Sequence, residues 1–147
     1  MKEELQQQLY AEYPALFVNK NKEPIESAMA FGIECGDGWY DLIKGMCYLI
    51  RQREKNIANN LQYCEENNLP TPELELSYAN VAFDQVKEKW GGLRIYYSGG
   101  DAFVSGVISM TEQMSYKICE YCGNKGQPNK EGWIVTLCDT CRKERTQ

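Results

Sequence analysis

The chain has 147 residues, 16 Lys+Arg against 21 Asp+Glu, a formal net charge of −5 and no histidine. That length supports one modest domain, or one domain with a small appended module, and 43% hydrophobic residues are enough for a packed core. The missing histidine excludes Ser-His-Asp and Cys-His nucleophile systems and His-ligated catalytic zinc, and the acidic balance suits nucleic acid poorly, because generic affinity there comes from neutralising phosphates.

No apolar run approaches the roughly 20 residues needed to cross a bilayer, and the N-terminal stretch has no apolar signal-peptide core. The expectation is a soluble cytoplasmic protein with no membrane partner. Leu5, Leu9, Tyr13 and Leu16 recur at helical spacing, so a helix is expected from Glu3 toward Leu16, broken or kinked near its end by Pro14. The polar stretch VNKNKEPIES reads as a loop.

FGIECGDGWYDLIKGMC, Phe31 to Cys47, gathers four glycines and three carboxylates at what reads as a helix start. Asp37 is expected as the N-cap of a helix beginning near Gly38, with Trp39, Leu42, Ile43, Met46, Leu49 and Ile50 as its buried stripe. The pattern thins through Ile57, Leu61 and Cys64 until ENNLPTP stops it. Such a helix is about 40 Å long at 1.5 Å per residue, and a bend or break is expected in the polar part, Arg51–Asn59. Glu34, Asp37 and Asp41 could bind a divalent cation through oxygens. The simpler reading is a cap and carboxylates that complement the helix dipole. A phosphate cradle at Gly36-Asp37-Gly38 fails on charge, since no Lys or Arg lies between Lys22 and Lys44.

From Glu73 the period changes to two, and Leu74, Leu76 and Tyr78 suggest a strand. FDQVKEKW and LRIYY flank Gly91-Gly92, which reads as a hairpin turn; a single strand kinked at the glycines is the alternative. A two-residue loop at the glycines pairs Lys89 with Arg94 and Lys87 with Tyr96. Val86, Glu88, Trp90, Leu93, Ile95 and Tyr97 then share one face, and Lys87, Lys89, Arg94 and Tyr96 the other. The second face suits a nucleotide or phosphate, with charge for oxygens and a ring for a base. It equally reads as a solvated face whose lysines discourage edge pairing. Glu88 needs a cation if it is buried. Asp101 caps a further helix whose apolar stripe is Phe103, Val107, Met110, Met114 and Ile118.

Cys119-x-x-Cys122 and Cys138-x-x-Cys141 stand fifteen residues apart, the spacing of a four-thiolate structural zinc site. With four cysteine ligands such a site is closed to water, so one Zn²⁺ would stabilise rather than catalyse. A pair of redox dithiols lacks the expected βαβ context. The intervening loop carries Lys125 and Lys130, and the tail Arg142, Lys143 and Arg145. Glu120, Glu131, Asp139 and Glu144 offset them, which weighs toward stapling or protein binding over nucleic acid. Cys47 and Cys64 read as packing residues. Cys35 lies near a helix start, where a thiol pKa can fall.

YPALF, GIECGDGWYDLI, VKEKWGGLRIYYSGG and SYKICEYCG…GWIVTLCDTC, in that order, resemble a family of small proteins of tailed phages and prophages to which no agreed activity attaches. The resemblance spans most of the chain, apart from residues 18–30 and the later central helix. It implies a phage accessory protein in a bacterial host cytoplasm, and it carries over no catalytic residue. Relatives often have an extra Cys and Trp just before the GIECGDGW stretch, where this chain reads SAMAF.

The expected architecture is α+β: helices packed on a small antiparallel sheet over residues 1–118, and a zinc ribbon over 119–147 packed on it. The expected function is a non-enzymatic binder that inhibits or sequesters a host factor, foremost a host protein and secondly a nucleotide signal. One alternative is nucleic-acid binding through the ribbon and the cationic hairpin. The other is a metal-dependent hydrolase using Glu34, Asp37, Asp41 and Glu88.

Overall fold

The computed structural model describes residues 1–129 and 131–145. Lys130, counted above among the loop cations, lies outside them. Helix α1 runs over Glu3–Glu12. It stops where Tyr13 leaves the helical region (φ −127°, ψ 51°), because the ring of Pro14 crowds a helical residue before it. Leu9, Tyr13, Leu16 and Phe17 are buried. The expected loop VNKNKEPIES begins as a 3₁₀ turn, Val18–Asn21. Buried Asn19 donates from Nδ2 to the Phe83 carbonyl at 3.0 Å and to Asp84 Oδ1 at 2.9 Å.

The α+β class holds, with a mixed sheet. Strand β1 (Ile33–Glu34) pairs parallel with β2 (Ala82–Lys89), which pairs antiparallel with β3 (Gly92–Ser98). Glu34 stands beside Lys87 in that register. The hairpin turn is Trp90-Gly91, not Gly91-Gly92, so Lys87 faces Arg94 and Gln85 faces Tyr96. This correction moves each partner by two residues, an even shift, so the side chains that stay in the two strands keep their expected faces, while Trp90, expected on the apolar face, lies in the turn and is exposed. Both turn residues take the left-handed conformation of a type I′ turn, Trp90 at φ 56° and Gly91 at φ 76°. The register slips between Phe83 and Gln85. One extra residue there lets Phe83 and Val86, at an odd spacing, both enter the core.

Helix α2 (Tyr40–Glu66) is continuous, without the expected break. Its polar middle is used internally: buried Glu54 accepts the Val81 N–H at 2.8 Å and pairs with Arg51. Asp37 is not the N-cap. A 3₁₀ turn, Asp37–Trp39, leads into α2, and no side chain caps either start. The strand expected around Leu74 is instead a short helix, α3 (Glu73–Leu76), with both leucines exposed. Helix α4 (Ala102–Ser115) is capped by Asp101, which accepts the Val104 N–H at 3.1 Å. Its buried side is Val104, Ile108, Thr111 and Ser115; of the expected stripe, Val107 and Ile118 are half-buried against the core, while Phe103, Met110 and Met114 are exposed. No helix among the described residues is long and apolar enough to cross a membrane.

The main core centres on Trp39, Phe17, Phe83, Ile43, Ile50 and Leu93. Phe17 meets Tyr10 and Phe83 edge-on, at 5.0 and 5.2 Å between centroids. A second, smaller core holds Cys119, Val135, Leu137 and Cys141. It is built on β4 (Gln127–Pro128), β5 (Thr136–Leu137) and α5 (Asp139–Arg145).

Asp101 couples α4 to α2, because Arg53 Nη2 lies 2.8 Å from its Oδ2. Burial opposes its charge, but the Val104 N–H and Arg53 prevail and hold its carboxyl below the ordinary range. A depressed folded pKa means stabilisation present above the unfolded value and lost as pH falls through the folded one. Asp101→Ala is therefore expected to cost about 1 kcal/mol or more at pH 7. In denaturant titrations the deficit should shrink as pH drops below the carboxylate range.

Candidate metal centre and hairpin face

Each Cys-x-x-Cys makes a tight turn that turns two sulfurs toward a common point. In the first, the Gly123 N–H reaches the Cys119 carbonyl at 2.9 Å, and the Cys119 N–H reaches the Asn124 carbonyl at 2.7 Å. In the second, the Cys141 N–H points at Cys138 Sγ at 3.5 Å. The four sulfurs of Cys119, Cys122, Cys138 and Cys141 lie within 4.8 Å of one another, and the cluster could hold a metal ion. Cys122 and Cys138 Sγ are 3.6 Å apart; a tetrahedral site with 2.3 Å metal–sulfur bonds has edges of about 3.8 Å. Burial raises the Cys119 thiol, but the backbone N–H groups of Cys138, Cys122 and Tyr121 outweigh it and bring the pKa down to about 7. Hydrogen bonding with Cys138 and Cys122 pushes the Cys141 thiol up instead, and Cys122 is raised as well, so it is the convergence of the four sulfurs that fits a metal, for which the thiolate is the ligating form.

The glycine-rich stretch is the socket for this module. The Gly38 N–H donates to the Glu120 carbonyl at 2.7 Å, and the Gly36 N–H to Glu120 Oε1 at 2.9 Å. Trp39 Nε1 donates to the Ile118 carbonyl at 2.9 Å. A Cβ at Gly38 would run into the Cys119 carbonyl oxygen and lie 2.8 Å from Cys122 N. A Cβ at Gly36 would overlap Glu120. The hairpin closes the other side: Thr136 Oγ1 donates to the Gly91 carbonyl at 2.5 Å, and the Tyr116 ring covers Gly92.

The three expected carboxylates do not converge. Glu34 accepts from Gln85 Nε2 at 3.3 Å. Asp37 holds Lys2, through its backbone N–H at 2.7 Å and its ammonium at 3.3 Å. Burial opposes the Asp37 charge, yet Lys2 keeps its carboxyl below the usual range. Asp41 is exposed on the first turn of α2 and lines a groove against α4. Among the described residues these three form no metal-ligating group. Glu88 finds the Gly91 N–H, at 2.7 Å, rather than a cation. Cys35, Cys47 and Cys64 are buried. Burial pushes the Cys35 thiol up to about 12, so this thiol is not activated.

The cationic face is assembled. Lys87 and Arg94 are direct cross-strand partners, a like-charge pairing that sheets disfavour. Lys87 Nζ lies 5.6 Å from the centre of the Tyr96 ring. Arg94 stacks over Tyr116 at 5.6 Å and donates to its hydroxyl at 2.7 Å. Among the described residues, none of Lys87, Lys89 and Arg94 makes an ion pair. Beside Lys89 a cavity of about 400 Å³ opens between the hairpin tip and the cysteine module, walled by Glu88, Trp90, Trp133 and Ile134. The indoles are 70% and 75% exposed. Tyr116, Trp90 and Trp133 were absent from the expected site. For Trp90 the sequence does hold a signal, an aromatic at the tip of a Gly-Gly hairpin.

Neither a family model, nor a curated protein, nor a solved structure matches the chain.

Gly38→Ala is expected to cost about 2 kcal/mol or more, because backbone rather than a movable side chain occupies the space a methyl needs. It should also speed metal loss to a chelator, read by a chromogenic indicator. An alanine variant with wild-type release and stability would refute the socket.

Proposed function

We propose that the chain is a non-enzymatic phage accessory protein that inhibits or sequesters a host factor in the bacterial cytoplasm, foremost a host protein with an acidic contact patch. The ion at the four cysteines is proposed to be zinc, held as a staple: four thiolates fill a tetrahedral shell and leave no place for an activated water. The observation that carries the reading is the outer face of the hairpin. Among the described residues its three cations have no ion-pair partner, and one of them, Lys89, lines a cavity with two exposed indoles, Trp90 and Trp133. Trp and Arg are the residues that most often dominate binding energy at protein interfaces.

Trp90 adds a second support. A bulky residue at φ 56° pays in backbone energy, and such strain is characteristic of positions kept for function. The turn presents the indole on a rigid hairpin, which lowers the entropy lost on binding. The net charge of −5 keeps nucleic acid in second place.

Two measurements test this. Elemental analysis should find one zinc per chain. Purification from host lysate should capture a stoichiometric acidic partner, and Lys87→Glu with Arg94→Glu should weaken capture about tenfold or more. Trp90→Gly should weaken it as well while leaving the melting temperature unchanged or higher, since glycine relieves the left-handed strain. Capture indifferent to all three substitutions would remove the face from the account, and a co-purifying nucleotide would reassign the factor.

A further inference from the structure

Helix α4 leaves much of its apolar stripe outside the core. Val104, Ile108, Thr111 and Ser115 face inward, while Phe103, Met110 and Met114 are 48%, 64% and 42% exposed. Facing Phe103 and Met110 across a groove of about 730 Å³ are Tyr48 and Leu49 of α2, themselves about half exposed. A lone amphipathic helix turns its larger apolar side to the core, and contiguous apolar patches beyond a few hundred Å² mark interaction surfaces.

We propose that this groove is the interface of a two-fold homodimer in which α2 packs antiparallel against α2 of a second copy, flanked by the two α4 helices. A two-fold interface must be self-complementary, and this face carries both projections and hollows. The projections are Tyr48, Phe103 and Met110. The hollows are Gly45 and Gly106, where an added Cβ would meet nothing within 4 Å. Nothing inside the chain requires glycine at these positions, and glycine is the poorest ordinary residue in a helix interior. Close approach from outside explains both.

Charge selects the same occupant. Asp41 is the one charged residue lining the groove, as depletion of charge at an interface core requires. Asp41, Tyr48 and Lys55 are spaced by sevens, so they share one stripe of α2, and all three are exposed. Antiparallel pairing centred on Tyr48 sets each Asp41 against Lys55 of the second copy. The stripe is therefore oppositely charged at its two ends and matches its own reverse. This surface is separate from the hairpin face and stands whether or not that face binds a host factor.

Sedimentation equilibrium on the full chain tests the proposal. The expected mass is about 34 kDa, twice 16.9 kDa. Met110→Glu buries a charge in the interface and should weaken association at least about tenfold, with the circular dichroism spectrum unchanged because Met110 is exposed in the single chain. Asp41→Lys alone should also weaken association, and Asp41→Lys with Lys55→Asp should restore it, which a merely structural role would not produce. A monomer at every concentration up to about 100 μM, where an interface of standard size is populated, would overturn the proposal. So would a dimer that Met110→Glu leaves intact, or a charge swap that fails to restore association.

Discussion

The contact on which the structure turns is backbone against backbone: Gly36 and Gly38 pressed on Cys119–Gly123. Two hydrogen bonds to Glu120 fix it, one to its carbonyl and one to its carboxylate. A side chain on either glycine would push the two strands of chain apart. Everything around the start of α2 follows from that closeness. Trp39, fully buried, reaches past the glycines to the Ile118 carbonyl. Burial holds the Glu120 carboxyl above its ordinary range, while the Gly36 N–H works against that shift. The stretch that resembles a phosphate loop is thus a receptor for the chain's own cysteine turn.

The same module reaches the hairpin. Thr136 bonds the turn carbonyl of Gly91, and Tyr116, just before the module, lies over Gly92 and under Arg94. The four-cysteine unit therefore sits between the start of α2 and the tip of β2–β3. It sets where Trp133 stands relative to Trp90, and so shapes the cavity beside the cationic face. A metal there would act on binding at a distance, by fixing geometry rather than by touching a ligand.

The cysteine cluster was legible because metal chemistry constrains spacing directly: two sulfurs per turn, and a loop long enough to return. The faces of the hairpin were legible because alternation survives an even slip, even though the turn itself sits one residue earlier, on Trp90. The side of α4 that is buried was not legible. Periodicity marks an apolar stripe but does not say whether the neighbour that covers it belongs to the same chain. Asp37 looked like a cap because its position and type are right; its carboxylate is instead taken by Lys2, a contact 35 residues away in sequence. The strand expected at Leu74–Tyr78 failed for want of a partner, since alternation alone does not supply a ladder. The parallel strand Ile33–Glu34 is too short to show a period at all.

Hydrogen exchange with and without a chelator tests the central claim most directly. If the cysteine module is held in the glycine socket by its metal, removing the metal should release the Gly36 and Gly38 amides and the Trp39 indole N–H together with the Cys119–Cys141 segment. The β2–β3 amides around Val86 and Ile95 should stay protected by their own ladder. Undiminished protection at Gly38 and Trp39 in the metal-free protein would contradict the account.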